Sequence, residues 1–160
     1  MRAWEKATAT LVTAVGISTG LLVSLEGYSP KPYVDVAGVL TECYGNTLGF
    51  KPGTVKTQQG GEALLNVEVA RIGSMLYKEQ PKHSAETLAA SISFVYNIGD
   101  GAYRGSTFRK KLLADDFEGA CYEMNRWVYI TKNGSKVRSN GLVNRRVQEV
   151  ELCLSGLPNG

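Results

Sequence analysis

A chain of 160 residues, 43% of them hydrophobic and 21% charged, has the makeup of one globular domain with a real core and excludes a disordered chain. The net charge is only +3, yet ten cations stand between Arg104 and Arg146 against four acids, a local excess of +6. That stretch suits a polyanionic partner or is a set of solvated helix charges, and no nucleic-acid motif accompanies it. The cysteines, Cys43, Cys121 and Cys153, form no CxxC pair or Cys/His cluster, which argues against zinc.

The first element is uncharged from Ala7 to Leu25, preceded by Arg2, Glu5 and Lys6. Its length suits a membrane span. Its composition is weaker. Leu11, Val12, Val15, Ile17, Leu21, Leu22, Val23 and Leu25 contribute roughly −2 to −5 kcal/mol to insertion, opposed by Thr, Ser and Gly residues. Insertion is therefore marginal. The segment reads as a cleaved signal peptide, a permanent anchor, a buried soluble helix, or an exported helix that later leaves the bilayer. Val23-Ser24-Leu25-Glu26 offers no small-residue cleavage site, and cleavage there would put a new terminus beside Glu26.

From Glu26 to Thr47 the chain reads EGYSPKPYVDVAGVLTECYGNT, with glycines and prolines that signal turns and with short apolar–polar alternation that signals a hairpin. Glu26 and Asp35 thus end a helix and sit on a hairpin, where two carboxylates can flank a cleft. Glycoside hydrolysis uses such a pair: one acid protonates the leaving oxygen, and one carboxylate activates water or stabilises the charged sugar. Carboxylates are usually solvated surface groups, so the pair alone is a weak signal.

Beyond Thr47 the predicted elements are helical. Thr57 caps a long amphipathic helix with Ala63, Leu64, Val67, Ala70, Ile72, Met75 and Leu76 as apolar members. Pro81 breaks the chain, and His83 beside it reads as a surface residue. Ser84 caps a core helix carrying Leu88, Ala89, Ile92, Val95 and Tyr96, which stops at Asn97-Ile98-Gly99. Two shorter helices follow, at Ser106–Leu113 and Asp116–Val128. A polar excursion from Tyr129 to Arg138 turns at Asn133-Gly134, and a last helix runs to Leu154 with Leu142, Val143, Val147, Val150 and Cys153 as its apolar members. The whole is α+β, mostly helical with one small sheet.

The spacing of Glu26, Asp35, Thr41, Gly45 and Thr47 is similar, position for position, to that of the phage-type lysozyme family, glycoside hydrolase family 24. Ser93-Phe94-Val95-Tyr96-Asn97-Ile98-Gly99, Arg126-Trp127, and Gly141 to Arg146 with Glu149 continue the resemblance over nearly all the chain after Leu25. Within the family it resembles the lambdoid endolysins whose N-terminus is a signal-arrest-release segment. The resemblance implies a bilobal fold, a hairpin lobe and a helical lobe with the catalytic cleft between them. It divides the chain into residues 1–25, the membrane and export helix, and residues 26–160, the catalytic domain.

It also implies a muramidase cleaving the β-1,4 bond between N-acetylmuramic acid and N-acetylglucosamine, by inversion and without metal or cofactor. Glu26 would be the general acid, Asp35 the base or electrostatic partner, and Thr41 the residue that orients water. Tyr33, Tyr44 and Asn97 would line the saccharide groove, and Arg145 would either fix the Glu26 carboxylate or lie on a helix surface. The expected partner is peptidoglycan, with the inner membrane touched transiently through residues 7–25, no nucleic acid, and a monomeric enzyme in the host periplasm. The resemblance favours a Cys121–Cys153 disulfide over three reduced cysteines. No cysteine lies in Ala7–Leu25, so release would act by repositioning Glu26 rather than by disulfide exchange.

Two positions depart from the common family turn. Cys43 replaces a glycine, as in the lambdoid subset, and Asn46 replaces a histidine, which removes that residue's ion pair. Two other functions compete: a lytic transglycosylase, against which Asp35 argues, and a membrane-anchored, non-catalytic peptidoglycan-binding module.

Overall fold

The computed structural model describes residues 2–34, 40–43 and 57–158, and the side chains of residues 2–29 and 57–158. Helix α1 (Ala3–Glu26) opens the chain. At about 1.5 Å per residue it is roughly 36 Å long, long and apolar enough to cross a membrane. It stops where Gly27 takes φ +66°, a backbone conformation that side chains resist. Strand β1 (Ser29–Val34) then pairs antiparallel with β2 (Leu40–Cys43), with Tyr33 opposite Thr41 and Val34 opposite Leu40.

The helical body comprises α2 (Gln58–Glu79), α3 (Ala85–Ile98), α4 (Asp100–Gly105), α5 (Thr107–Leu113) and α6 (Phe117–Glu123). A 3-10 turn at Met124–Arg126, strands β3 (Tyr129–Lys132) and β4 (Ser135–Arg138), and helix α7 (Asn140–Ser155) complete it. Side-chain caps set the helix starts. Thr57 Oγ1 accepts from the Gly60 amide at 3.1 Å, Ser84 Oγ from Thr87 at 3.1 Å, and Ser106 Oγ from Arg109 at 3.0 Å.

Helix α3 is the axis of the core. Its Leu88, Ala89, Ala90, Ile92, Phe94 and Val95 are wholly buried, with α1, α2 and α7 packed around it. Helix α1 contributes Ala14, Ser18 and Leu22, one residue per turn, which is how a helix presents a single face. Three helices converge at Gly73 of α2. A Cβ there would stand 3.0 Å from Ile92 Cδ1 and 3.1 Å from Leu11 Cδ1. A disulfide joins Cys121 of α6 to Cys153 of α7 with Cα atoms 5.7 Å apart.

Several local expectations are corrected. The inward stripe of α2 is Leu65, Val69, Ile72 and Leu76, while Val67 is 70% exposed and Ala63 and Ala70 also face out. Gly61 and Gly73 lie on the buried side, and at Gly73 the absence of a side chain lets α1 and α3 approach. A separate short helix, α4, follows Gly99, and the helix begun at Phe117 ends at Glu123 rather than at Val128. The polar excursion from Tyr129 to Arg138 turns at Asn133-Gly134 as expected, and its two arms pair as a second hairpin in addition to the one small sheet expected. On α7, Val147 is 57% exposed and the charged Arg145, Arg146 and Glu149 are inside.

His83 is also inside. It is 5% exposed, with Nδ1 2.6 Å from the Gln80 carbonyl and its ring edge-on to Phe117.

Candidate active site

The C-terminal turn of α1 delivers Glu26 to the second turn of α7. Arg145 Nη1 donates to Glu26 Oε1 at 2.5 Å, and the Glu26 side chain keeps 18% of its surface exposed. That surface opens on a cleft of about 320 Å³ lined by Glu26, Gly27, Tyr28 and Ser29, at the point where the chain leaves α1 for β1. The acid is therefore fixed from behind and reachable from in front.

Behind it lies a closed set of charges. Arg145 Nε donates to Glu149 Oε1 at 3.0 Å and Arg145 Nη2 to the Ser93 carbonyl at 3.2 Å. Ser93 Oγ donates to the same Glu149 oxygen at 2.7 Å. Arg146 bonds the other Glu149 oxygen and Asn97 Oδ1, donates from Nε to the Trp127 carbonyl at 3.0 Å, and lies 4.9 Å over the Phe94 ring. Glu149 is fully buried, and Arg146 retains 1% exposure. Two carboxylates balance two guanidinium ions, so the cluster is neutral as a whole, the condition under which buried charge is tolerated. Burial pulls the Arg146 pKa below its ordinary value, and Glu149 opposes that pull.

The residues predicted from the sequence divide by what the structure describes. Glu26 and Arg145 are in contact, and Arg145 is a buried ion-pair partner rather than a surface arginine. Asn97 closes α3 on the same network, its carbonyl oxygen occupied by Arg146. Tyr33 and Thr41 face each other as backbone partners in the β1–β2 register. Their side chains, and Asp35 and Tyr44 altogether, lie outside the described residues. Among the described residues no group of three His, Cys, Asp or Glu side chains is placed to hold a metal ion.

Sequence reasoning missed the internal role of Arg146, Glu149 and Ser93. The signal was present: Arg146, Glu149, Val150 and Cys153 share one helical face by their three- and four-residue spacing. The charged members were therefore pointing where the apolar members point.

Residues 23–149 match the family described as Phage lysozyme. The chain is 40% identical over 148 residues to a SAR-endolysin of Bacteriophage PS34, covering 91% of this chain and 84% of the relative. Among solved structures it is similar to an endolysin from the Escherichia coli O157:H7 phage FAHEc1, with 30% identity and a TM-score of 0.76 over 90% of this chain and 94% of that one. It is also similar to the active form of the P1 phage endolysin Lyz, with 26% identity and a TM-score of 0.73 over 94% of this chain and 95% of that one. An arginine-held glutamate at the end of a core-packed helix, with these matches across most of its length, identifies the chain as a member of the phage lysozyme family.

Proposed function

We propose that this chain is a phage endolysin acting as a muramidase on the β-1,4 bond between N-acetylmuramic acid and N-acetylglucosamine of bacterial peptidoglycan. The observation that carries the reading is the Glu26 carboxyl, clamped by Arg145 on one side and open to the cleft on the other. In this mechanism Glu26 protonates the leaving glycosidic oxygen, Asp35 serves as base or electrostatic partner, and Thr41 orients the attacking water. Tyr33, Tyr44 and Asn97 contact the saccharide. Arg145 acts through Glu26 as a positioning residue.

Residues 1–25 serve as the export and membrane segment, and residues 26–160 as the catalytic domain. The span-length apolar helix and the SAR-endolysin name borne by the PS34 relative support this part of the reading. In the membrane-held form α1 lies in the bilayer, and Glu26 is parted from Arg145. After release α1 packs on α2 and α3, and its last residue completes the site. The enzyme then works as a monomer in the periplasm.

Mass spectrometry of the muropeptides released from purified Gram-negative sacculi tests the reaction. Reducing N-acetylmuramic ends are expected. Anhydro ends would assign a transglycosylase instead, and undigested sacculi a binding module.

A further inference from the structure

The second hairpin carries charge that the body of the protein does not neutralise. Elsewhere several cations have acidic partners: Arg71 pairs with Glu68 and Asp100, Lys82 with Asp115, and Lys111 with Asp116, while Lys6, Lys78 and Lys110 are single exposed cations with no salt bridge among the described residues. On the hairpin, Lys132, Lys136 and Arg138 are exposed and have no ion-pair partner among the described residues. The sequence itself places no acid between Glu123 and Glu149.

The geometry turns these charges into a surface. The strands pair Tyr129 with Arg138, Thr131 with Lys136, Ile130 with Val137, and Lys132 with Ser135. Directly opposed residues share a face, so Tyr129, Thr131, Lys136 and Arg138 form one side of the ribbon. All four are exposed; on the other side Ile130 is partly buried, and Val137, Lys132 and Ser135 are exposed. Asn133 and Gly134 turn the ribbon with φ +50° and +77°, the signs of a tight type I′ turn, and place Lys132 beside the tip. The outward side combines an aromatic ring, a hydroxyl and two cations.

The ribbon is also fixed relative to Glu26. At its base the Ser139 amide donates to the Val128 carbonyl at 2.8 Å, and Arg146 Nε to the Trp127 carbonyl at 3.0 Å. Arg146 shares Glu149 with Arg145, which holds Glu26. A ligand bound along the ribbon is thus held by the same framework that positions the acid.

We propose that this ribbon face, with Lys132 at its tip, binds the carboxylates of the peptide stems carried by the glycan strand; the proposal rests on peptidoglycan being the substrate. Where a stem is attached, the muramic carboxyl is consumed in its amide bond, so the sugars of the strand are neutral and do not call for three unpaired cations, whereas the peptide stems present carboxylates at intervals along the strand. An anionic bilayer is the other polyanion within reach. It fits less well, because the face with Tyr129, Lys136 and Arg138 has no aliphatic residue to enter the acyl region, and the one exposed aliphatic residue of the hairpin, Val137, lies on the opposite face.

The test uses Glu26→Gln protein, so that binding is read without cleavage. It is pelleted with intact sacculi, with sacculi stripped of their peptides by an amidase and then amidated at the muramic carboxylates that the cleavage frees, and with vesicles containing phosphatidylglycerol, with and without Lys132→Gln/Lys136→Gln/Arg138→Gln, and both proteins are checked by thermal melting. The triple variant is expected to bind intact sacculi about tenfold more weakly, with a flatter salt dependence. It should bind stripped glycan as the parent does. Equal weakening on both polymers, or none on either, overturns the proposal. So does a loss confined to vesicles containing phosphatidylglycerol, which would assign the ribbon to the membrane. Because binding is scored in a protein that does not cleave, failure of the hydrolase reading appears separately, in the product assay.

Discussion

Arg145 of α7 donates to Glu26 of α1 at 2.5 Å across 119 residues of sequence, joining the last residue of a membrane-length helix to the buried charges of the core. If Arg145 positions the acid, Arg145→Gln should lower kcat by about 10²-fold, the scale of a small misplacement of a catalytic group, while KM changes little. Arg145→Lys should recover part of the rate, since one of the bonds can be remade. Turnover of labelled sacculi normalised to the folded fraction seen by thermal melting separates this from simple destabilisation, which lowers the folded fraction and leaves the rate per folded molecule unchanged.

Glu149 accepts from three residues, Ser93, Arg145 and Arg146, with no exposed surface. Glu149→Gln leaves two guanidinium ions against one carboxylate. Breaking a buried pair in this way costs about 3–5 kcal/mol. Thermal denaturation followed by circular dichroism should therefore show Tm lower by roughly 10 °C.

The single histidine gives a pH signature. Burial pushes the His83 pKa below its ordinary value, opposed by the bond to the Gln80 carbonyl. The unfolded chain takes up a proton near its usual pKa of about 6.5, while the folded chain resists doing so. The unfolded state then binds more protons, so stability rises with pH across this window and is lost as pH falls from 6.5 towards the depressed folded value. Melting curves at pH 7 and 5 should show a Tm drop that His83→Gln reduces.

The proposed function requires helix α1 to suit both a bilayer and a protein surface. Gly16 and Gly20 have open space where a Cβ would stand, so leucine at both positions leaves the docked helix undisturbed. In a bilayer each leucine contributes roughly −0.6 kcal/mol at a helix centre. Gly16→Leu/Gly20→Leu should raise the membrane-bound fraction on cell fractionation and delay lysis, with turnover of any soluble protein unchanged.

The helical scaffold was legible because its signals are local. Thr57, Ser84 and Ser106 each cap the helix they precede, and Asn133-Gly134 makes a turn. The faces of α2 were harder. Leu64 and Val67 form as good an apolar stripe as Leu65 and Val69, and only the packing of Gly73 against Ile92 and Leu11 selects between them. The charged core of α7 was hidden by its composition, because Arg145, Arg146 and Glu149 look solvent-facing until their partners on α1 and α3 are known. His83 was misplaced for a similar reason, since its flanking Pro81 and Lys82 suggest a surface loop while Phe117 covers the ring. Of the proposed catalytic set, Glu26 was singled out by its spacing to Asp35 and Thr41, a pattern over many residues rather than a local propensity.

The most direct test is the rate at which folded Glu26→Gln protein releases reducing ends from purified sacculi, measured beside the parent at matched Tm. Loss of at least about 10³-fold is expected for removal of an essential general acid whose position the fold retains. Parental turnover by the folded variant would contradict the account, leaving the Arg145–Glu26 pair as a structural tie and placing the catalytic acid elsewhere.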